Sequence, residues 1–141
     1  MPHASCSVAA TGKVSNDFVQ ALKVVPTAAV VAVGARDPAD ARKFLVKHSL
    51  MGLAGSYEEV CACAEVDAVY VGTLHPWHRE HAEMALRHKK HVLVEKPMAM
   101  SRADAAAIYE AAEAAGRLVL EGMYEATTQT CCGMVGGDGG I

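Results

Sequence analysis

Two apolar runs that break off abruptly into small or functional residues constrain the fold of this 141-residue chain more than any other feature. Val69-Tyr70-Val71-Gly72 leads into Thr73-Leu74-His75-Pro76-Trp77-His78, and one helix later His91-Val92-Leu93-Val94 leads into Glu95-Lys96-Pro97. Strands buried on both faces read as continuous apolar runs, and in parallel sheets the chemistry lies beyond their carboxyl ends. The two runs therefore predict neighbouring parallel strands that place Thr73 and Lys96 on one rim.

The rest of the chain repeats the same alternation. Cys6 to Ala10 is a short apolar run that turns through Thr11-Gly12-Lys13 into a helix over Asn16–Val24, where Phe18, Val19 and Leu22 share a face and Pro26 is the stop. Ala29 to Ala35 reads as a second strand, and Asp37 is placed to cap a helix that has Pro38 in its first turn and runs to His48. Leu50 to Gly55 has no readable period. Ser56-Tyr57-Glu58-Glu59 is a capping-box pattern for a short helix to Cys63. Val66 to Gly72 is a strand, Trp77 to His88 a helix with Ala82, Ala85 and Leu86 inward, and His91 to Glu95 a strand. A helix from Ser101 to Ala115 ends at Gly116, and Leu118 to Glu121 is the last strand. The pattern β-α-β-α-α-β-α-β-α-β predicts an α/β fold with a doubly wound parallel sheet over residues 1–124. Residues 125–141, rich in Thr, Cys and Gly, lack any period and are expected to form a loose tail.

Composition bounds the partners. Apolar residues make up 52% and aromatics only 5%, which suits small-residue helices packed on a Val-rich sheet. A net charge of -3 offers no basic face, so a small-molecule partner is expected rather than a nucleic acid. No apolar run approaches the roughly 18 residues that a membrane span needs, and Met1-Pro2-His3-Ala4-Ser5-Cys6 lacks the regions of a secretion signal, so a cytoplasmic location is expected. Five cysteines, with Cys61 and Cys63 one residue apart and Cys131 adjacent to Cys132, suit reduced thiols better than zinc or a disulfide framework. The histidines at 75, 78 and 81 have the wrong spacing for H-E-x-x-H, and no metal is expected. His78 is read as capping or lining the rim, His81 and His88 as facing solvent, and Tyr70, Tyr109 and Tyr124 as core or boundary residues.

Three positions carry the candidate chemistry. The first turn, Ala10-Thr11-Gly12-Lys13-Val14-Ser15, keeps only the central glycine of G-x-G-x-x-G. It reads either as a dinucleotide loop or as an ordinary strand-to-helix turn. After the second strand Arg36 takes the place of the carboxylate that would accept from NAD ribose hydroxyls. It suits a 2′-phosphate, which favours NADP over NAD, unless it merely pairs with Asp37 or Asp40. Glu95-Lys96-Pro97 sets a carboxylate and an ammonium at the rim. Lys96 there could donate to a ribose or substrate oxygen, or be a solvated loop lysine.

Taken together, Thr11 to Phe18, Ala35-Arg36-Asp37, Ser56 to Glu59, Tyr70 to His78 and Val94 to Pro97 resemble the amino-terminal Rossmann domain of the glucose-fructose oxidoreductase and inositol dehydrogenase (Gfo/Idh/MocA) family, over about residues 6 to 124. Within that family the likeness is to the branch of dihydrodiol and D-xylose dehydrogenases. The resemblance implies that Gly12, Lys13 and Val14 line an NADP dinucleotide and that Arg36 sits by the adenosine phosphate. It implies Thr73, Leu74 and His78 along the nicotinamide half, Glu95 and Lys96 reaching the nicotinamide ribose and the substrate, Lys96 as the catalytic residue, and a cis bond before Pro97. The implied activity is hydride transfer between NADP and a sugar such as D-xylose, or a trans-dihydrodiol. Two departures stand out: Ala10 replaces the first glycine, and the family's carboxyl-terminal α+β domain, with its substrate pocket and dimer interface, is expected to be lacking. The second reading is accordingly a truncated, non-catalytic nucleotide-binding module.

Overall fold

The computed structural model describes residues 4–123. The expected tail at 125–141 and the readings of Tyr124, Cys131 and Cys132 fall outside the described residues. Six strands, β1 (Ala4–Ala9), β2 (Ala28–Gly34), β3 (Leu53–Gly55), β4 (Ala68–Val71), β5 (His91–Glu95) and β6 (Val119–Gly122), form one sheet in the order β3-β2-β1-β4-β5-β6. Every neighbouring pair is parallel. Helices α1 (Lys13–Leu22), α2 (Pro38–His48), α3 (Tyr57–Ala62), α4 (His78–Arg87) and α5 (Arg102–Ala115) connect them, with a 3-10 turn at His75–Trp77. The doubly wound parallel sheet expected from the sequence is present, with one strand more than expected. β3 is the addition: three residues are too short to show a period, and pairing with Ala32 to Gly34 of β2 is what makes them a strand.

Alternation along the strands splits the core in two. Val69, Val71, Val92, Val94 and Val119 face Val60, Ala82, Ala85, Leu86, Ile108 and Ala112 of α3, α4 and α5. On the other face Val8, Val30, Val33 and Tyr70 meet Val19 and Leu22 of α1 and Ala41, Phe44 and Leu45 of α2. The sequence alternates between these two faces, the first packed by aliphatic residues and the second by aliphatic residues with Phe44 and Tyr70. Helix ends follow the local rules. The Asp37 carboxylate accepts from Ala39 N–H at 2.8 Å with Pro38 in the first turn, and Ser56 and Glu59 close a reciprocal capping box. Ser101 caps α5, and Gly116 ends it in the left-handed conformation at φ 64°. Lys90 is nearly buried, yet its ammonium donates to the carbonyls of Cys63 (2.8 Å) and Val66 (2.7 Å), closing the link from α3 to β4.

α1 starts at Lys13, three residues before the expected Asn16, because Gly12 itself takes the cap position in extended backbone and its carbonyl accepts from Asn16 N–H at 3.0 Å. The helix lies close on the sheet. Ser15 is wholly buried, and a Cβ added to Gly72, just past β4, would fall 2.6 Å from Ser15 Oγ and 2.7 Å from Tyr70 Cε1. Gly72 is therefore what lets a serine stand at the helix–sheet contact. Gly72→Ala is expected to destabilise the fold by about 2 kcal/mol through overpacking, read from the urea midpoint. Ser15→Ala in the same chain should recover part of that loss. An unchanged midpoint for Gly72→Ala would show that the contact yields freely.

Candidate functional site

The sheet order reverses between β1 and β4, and helices leave the two strands on opposite faces, so their carboxyl ends flank an open crevice. At the β1 end, Ala10 adopts φ 113°, a conformation that favours glycine, and its N–H donates to the Gly34 carbonyl at 3.0 Å. A non-glycine residue held there carries strain of about 1–3 kcal/mol. Gly12 has open space where a Cβ would stand, Lys13 and Val14 are exposed, and no side chain caps α1. The first amides of that helix are thus left for an anionic group to approach.

At the β2 end the backbone is held by Ala35 N–H donating to the Gly55 carbonyl at 3.0 Å, and Arg36 projects as an exposed side chain. Neither carboxylate named beside it takes its charge. Asp37 caps α2, and Asp40 pairs with Lys43 at 3.0 Å, so Arg36 forms no ion pair among the described residues. The nearby Tyr57 phenol is pushed up by burial, against the opposing pull of the Arg36 charge and backbone.

The β4 and β5 ends are tied to each other. His78 is fully buried, with its ring between the segments that follow β4 and β5. Its Nε2 lies 2.9 Å from the Thr73 carbonyl and its Nδ1 2.9 Å from the Pro97 carbonyl. His81, expected to face solvent, is also buried, with Nδ1 3.0 Å from Thr73 Oγ1 and its ring against Tyr57. The physical reason is the 3-10 turn ahead of α4, which sets His78, His81, Ala82 and Ala85 on one inward stripe. His88 remains partly exposed, 2.6 Å from Glu58. Leu74 stands out into solvent, 71% exposed.

Beyond β5 the peptide before Pro97 is cis. Three consecutive residues are pinned from three elements: Lys96 N–H by Glu95 Oε2 (3.2 Å), the Pro97 carbonyl by His78, and Met98 N–H by Glu121 Oε1 (2.8 Å). The Lys96 ammonium stays exposed, with no ion pair among the described residues. The alternative of a loosely solvated loop lysine therefore fits the side chain but not the backbone that carries it. Glu95 Oε1 accepts from the Tyr70 hydroxyl at 2.9 Å. Gly12, Lys13 and Val14 thus follow β1, Arg36 follows β2, Thr73 and Leu74 follow β4, and Glu95 and Lys96 end or follow β5, all at the carboxyl edge of the sheet. Tyr70, His81 and Glu121 were not singled out for the rim from the sequence, although the stripe through His78 and Ala82 also contains His81.

Among the described residues no group of three or more His, Cys, Asp and Glu side chains could hold a metal ion, and no helix is long and apolar enough to cross a membrane. Cys61 and Cys63 are free thiols, and burial pushes the Cys61 thiol up to about 12, which leaves it inert. A cavity of about 700 Å³ opens at the other end of the sheet, by Ala4, Ala28, Ala68 and His91, the first residues of their strands. It lies away from the crevice.

Residues 5–123 match the family model GFO_IDH_MocA, described as an oxidoreductase family with an NAD-binding Rossmann fold. The chain is 40% identical over 119 residues to trans-1,2-dihydrobenzene-1,2-diol dehydrogenase of Xenopus laevis, a match covering 83% of this chain and 36% of that protein. The Homo sapiens protein of the same name is 33% identical over the same shares. The solved structure of KijD10, a 3-ketoreductase from Actinomadura kijaniata in complex with NADP, superposes with a TM-score of 0.81 at 26% identity. That match covers 94% of this chain and 43% of the other.

Two outcomes follow from the geometry. Ala10→Gly removes the backbone strain and loosens the unfolded chain by a smaller amount, about 0.4–1 kcal/mol. A net gain near 1 kcal/mol, or about 3 °C in Tm, is expected in a thermal melt. A lower Tm would show that Ala10 is not strained. Burial holds the His81 and His91 rings below the ordinary histidine range, and burial together with Lys23 and Lys47 does the same at His48. The unfolded chain then takes up protons first on acidification. Stability should be at its full value above about pH 6.5 and fall below it. His81→Gln should flatten part of that slope in urea titrations at pH 7 and pH 5, and an identical slope would remove His81 from the account.

Proposed function

Because the chain belongs to the GFO_IDH_MocA oxidoreductase family, with its NAD-binding Rossmann fold, we propose that residues 1–124 are the cofactor domain of an NADP-dependent dehydrogenase. The observation that carries this reading is Arg36: an exposed guanidinium at the end of β2, with Asp37 and Asp40 already engaged, suits the 2′-phosphate of an adenosine ribose. Gly12, Lys13 and Val14 would hold the pyrophosphate against the first amides of α1, where the open space at Gly12 admits it. The Cβ of Ala10 narrows that approach. Thr73, Leu74 and Glu95 would line the nicotinamide half, with His78 acting through the Thr73 and Pro97 carbonyls that it holds. The cofactor would supply the hydride acceptor or donor.

Lys96 is the residue proposed as catalytic. Its ammonium is exposed over the crevice on a pinned backbone, so its charge can favour an oxygen that develops negative charge as a substrate alcohol gives up hydride. The names of the relatives support a trans-dihydrodiol as the substrate class, and the resemblance to sugar dehydrogenases supports D-xylose as a second candidate. The chain spans 36% of the length of the Xenopus laevis relative, so the activity, substrate and partners of a whole dehydrogenase are part of this proposal. A nucleotide-binding module without turnover is the second reading, favoured by the open exposure of Lys96, over which no described residue excludes water.

The test is a fluorescence titration of the purified chain with NADPH and, separately, NADH. NADPH is expected to bind at least 10-fold more tightly. Arg36→Ala should erase that difference by weakening NADPH alone, since a charge-assisted contact is worth about 1.5–3 kcal/mol. A preference that survives Arg36→Ala would overturn the role given to Arg36, and binding of neither nucleotide would overturn the cofactor reading.

A further inference from the structure

Tyr70 lies in the middle of β4 with its ring buried, 2% exposed, and has every mark of a core residue except its hydroxyl. In the parallel register Tyr70 is paired with Leu93 of β5, so Glu95 is its diagonal neighbour on the same face, within reach of a long side chain. The hydroxyl takes that partner, donating to Glu95 Oε1 at 2.9 Å. On its other side the Tyr70 ring stacks on Phe18 of α1, with centroids 3.8 Å apart and planes 5° from parallel. Phe18 belongs to the helix whose first residues are Lys13 and Val14. A continuous line of contacts therefore runs from the helix at one side of the crevice, through Phe18 and Tyr70, to Glu95 Oε1. It continues through Glu95 Oε2 to Lys96 N–H.

We propose that Tyr70 is a positioning residue for the rim: its hydroxyl fixes the Glu95 carboxylate, and through it the Lys96 backbone, in register with the helix that begins at Lys13. The inference rests on the cofactor reading above and deepens it. A glutamate at a strand end has several rotamers open to it, and a change of rotamer would take the carboxylate off its two donors. The donor from Tyr70 engages one oxygen, the Lys96 N–H engages the other, and the carboxylate is left in one orientation. His78 and Glu121 anchor Pro97 and Met98 independently, so the Tyr70 bond acts on Glu95 and Lys96 and not on the loop beyond. A phenylalanine would fill the same space and keep the stack on Phe18, but would leave Glu95 to choose its own rotamer.

The experiment uses the full chain, its Tyr70→Phe and Glu95→Leu variants and the double variant, titrated with NADPH and with 2′,5′-ADP, which lacks the nicotinamide half. Tyr70→Phe should weaken NADPH about 10-fold and leave 2′,5′-ADP unchanged. Glu95→Leu, which leaves the Tyr70 hydroxyl no acceptor at that side chain, should weaken NADPH at least as much, and adding Tyr70→Phe to it should cost no more, because the bond is already gone. The Glu95→Leu arm probes that bond from its other end should Tyr70→Phe fold poorly. Equal NADPH affinity in wild type and both single variants would overturn the inference. So would additive losses in the double variant, or a parallel loss of 2′,5′-ADP, and the cofactor reading would stand in each case. A wild-type chain that binds neither ligand would overturn both.

Discussion

His78 is the joint on which the rim depends. Its ring bridges the carbonyls that follow two neighbouring strands, Thr73 after β4 and Pro97 after β5, at 2.9 Å each. These are the ends at which a parallel sheet stops satisfying its own backbone. A neutral imidazole donates to one carbonyl at a time, so the wholly buried ring satisfies one of the two and packs against the other, and its place between them sets the spacing between the segments that carry Thr73 and Lys96. His81, one turn further along α4, takes the Thr73 hydroxyl, so the helix that connects the strands also fixes their ends.

The same economy appears on the α1 side. A serine stands at the third position of the turn fingerprint, where glycine normally permits close helix packing, and the room it needs comes from Gly72 across the crevice. The first position has no such exchange: Ala10 is held at φ 113°, and the strain stays local to the turn. One departure from the fingerprint is therefore absorbed by packing and the other by backbone energy. That is why the turn keeps its shape although only Gly12 of the three glycines is present.

Much of this was legible before the structure. The apolar runs ending at Gly72 and Glu95, the Asp37-Pro38 start of α2, the capping box at Ser56 and Glu59, and the stop at Gly116 all depend on residues within a few positions of each other, and each was found where expected. What escaped depends on distant partners. Leu53 to Gly55 becomes a strand only through β2. His81 looks like a solvent-facing polar residue until the turn at His75 to Trp77 sets the phase of α4. The Tyr70–Glu95 bond requires the β4–β5 register, which no local pattern prints. Arg36 was recognisable as a candidate, but rejecting its pairing with Asp37 or Asp40 required seeing where those carboxylates are engaged.

That engagement is general around the crevice. Asp37 is held by Ala39 N–H and Asp40 by Lys43, while Glu95 is held by Tyr70 and Lys96 N–H and Glu121 by Met98 N–H. These four acids are committed to backbone, hydroxyl or a neighbouring lysine, and among the described residues Arg36 and Lys96 form no ion pair. Pairing either one with a nearby carboxylate would add little stability at an exposed site, about 0–1 kcal/mol, and would screen the charge. Spending the carboxylates on the backbone instead holds the cations in place without neutralising them. Such an arrangement favours an incoming anion over any internal partner.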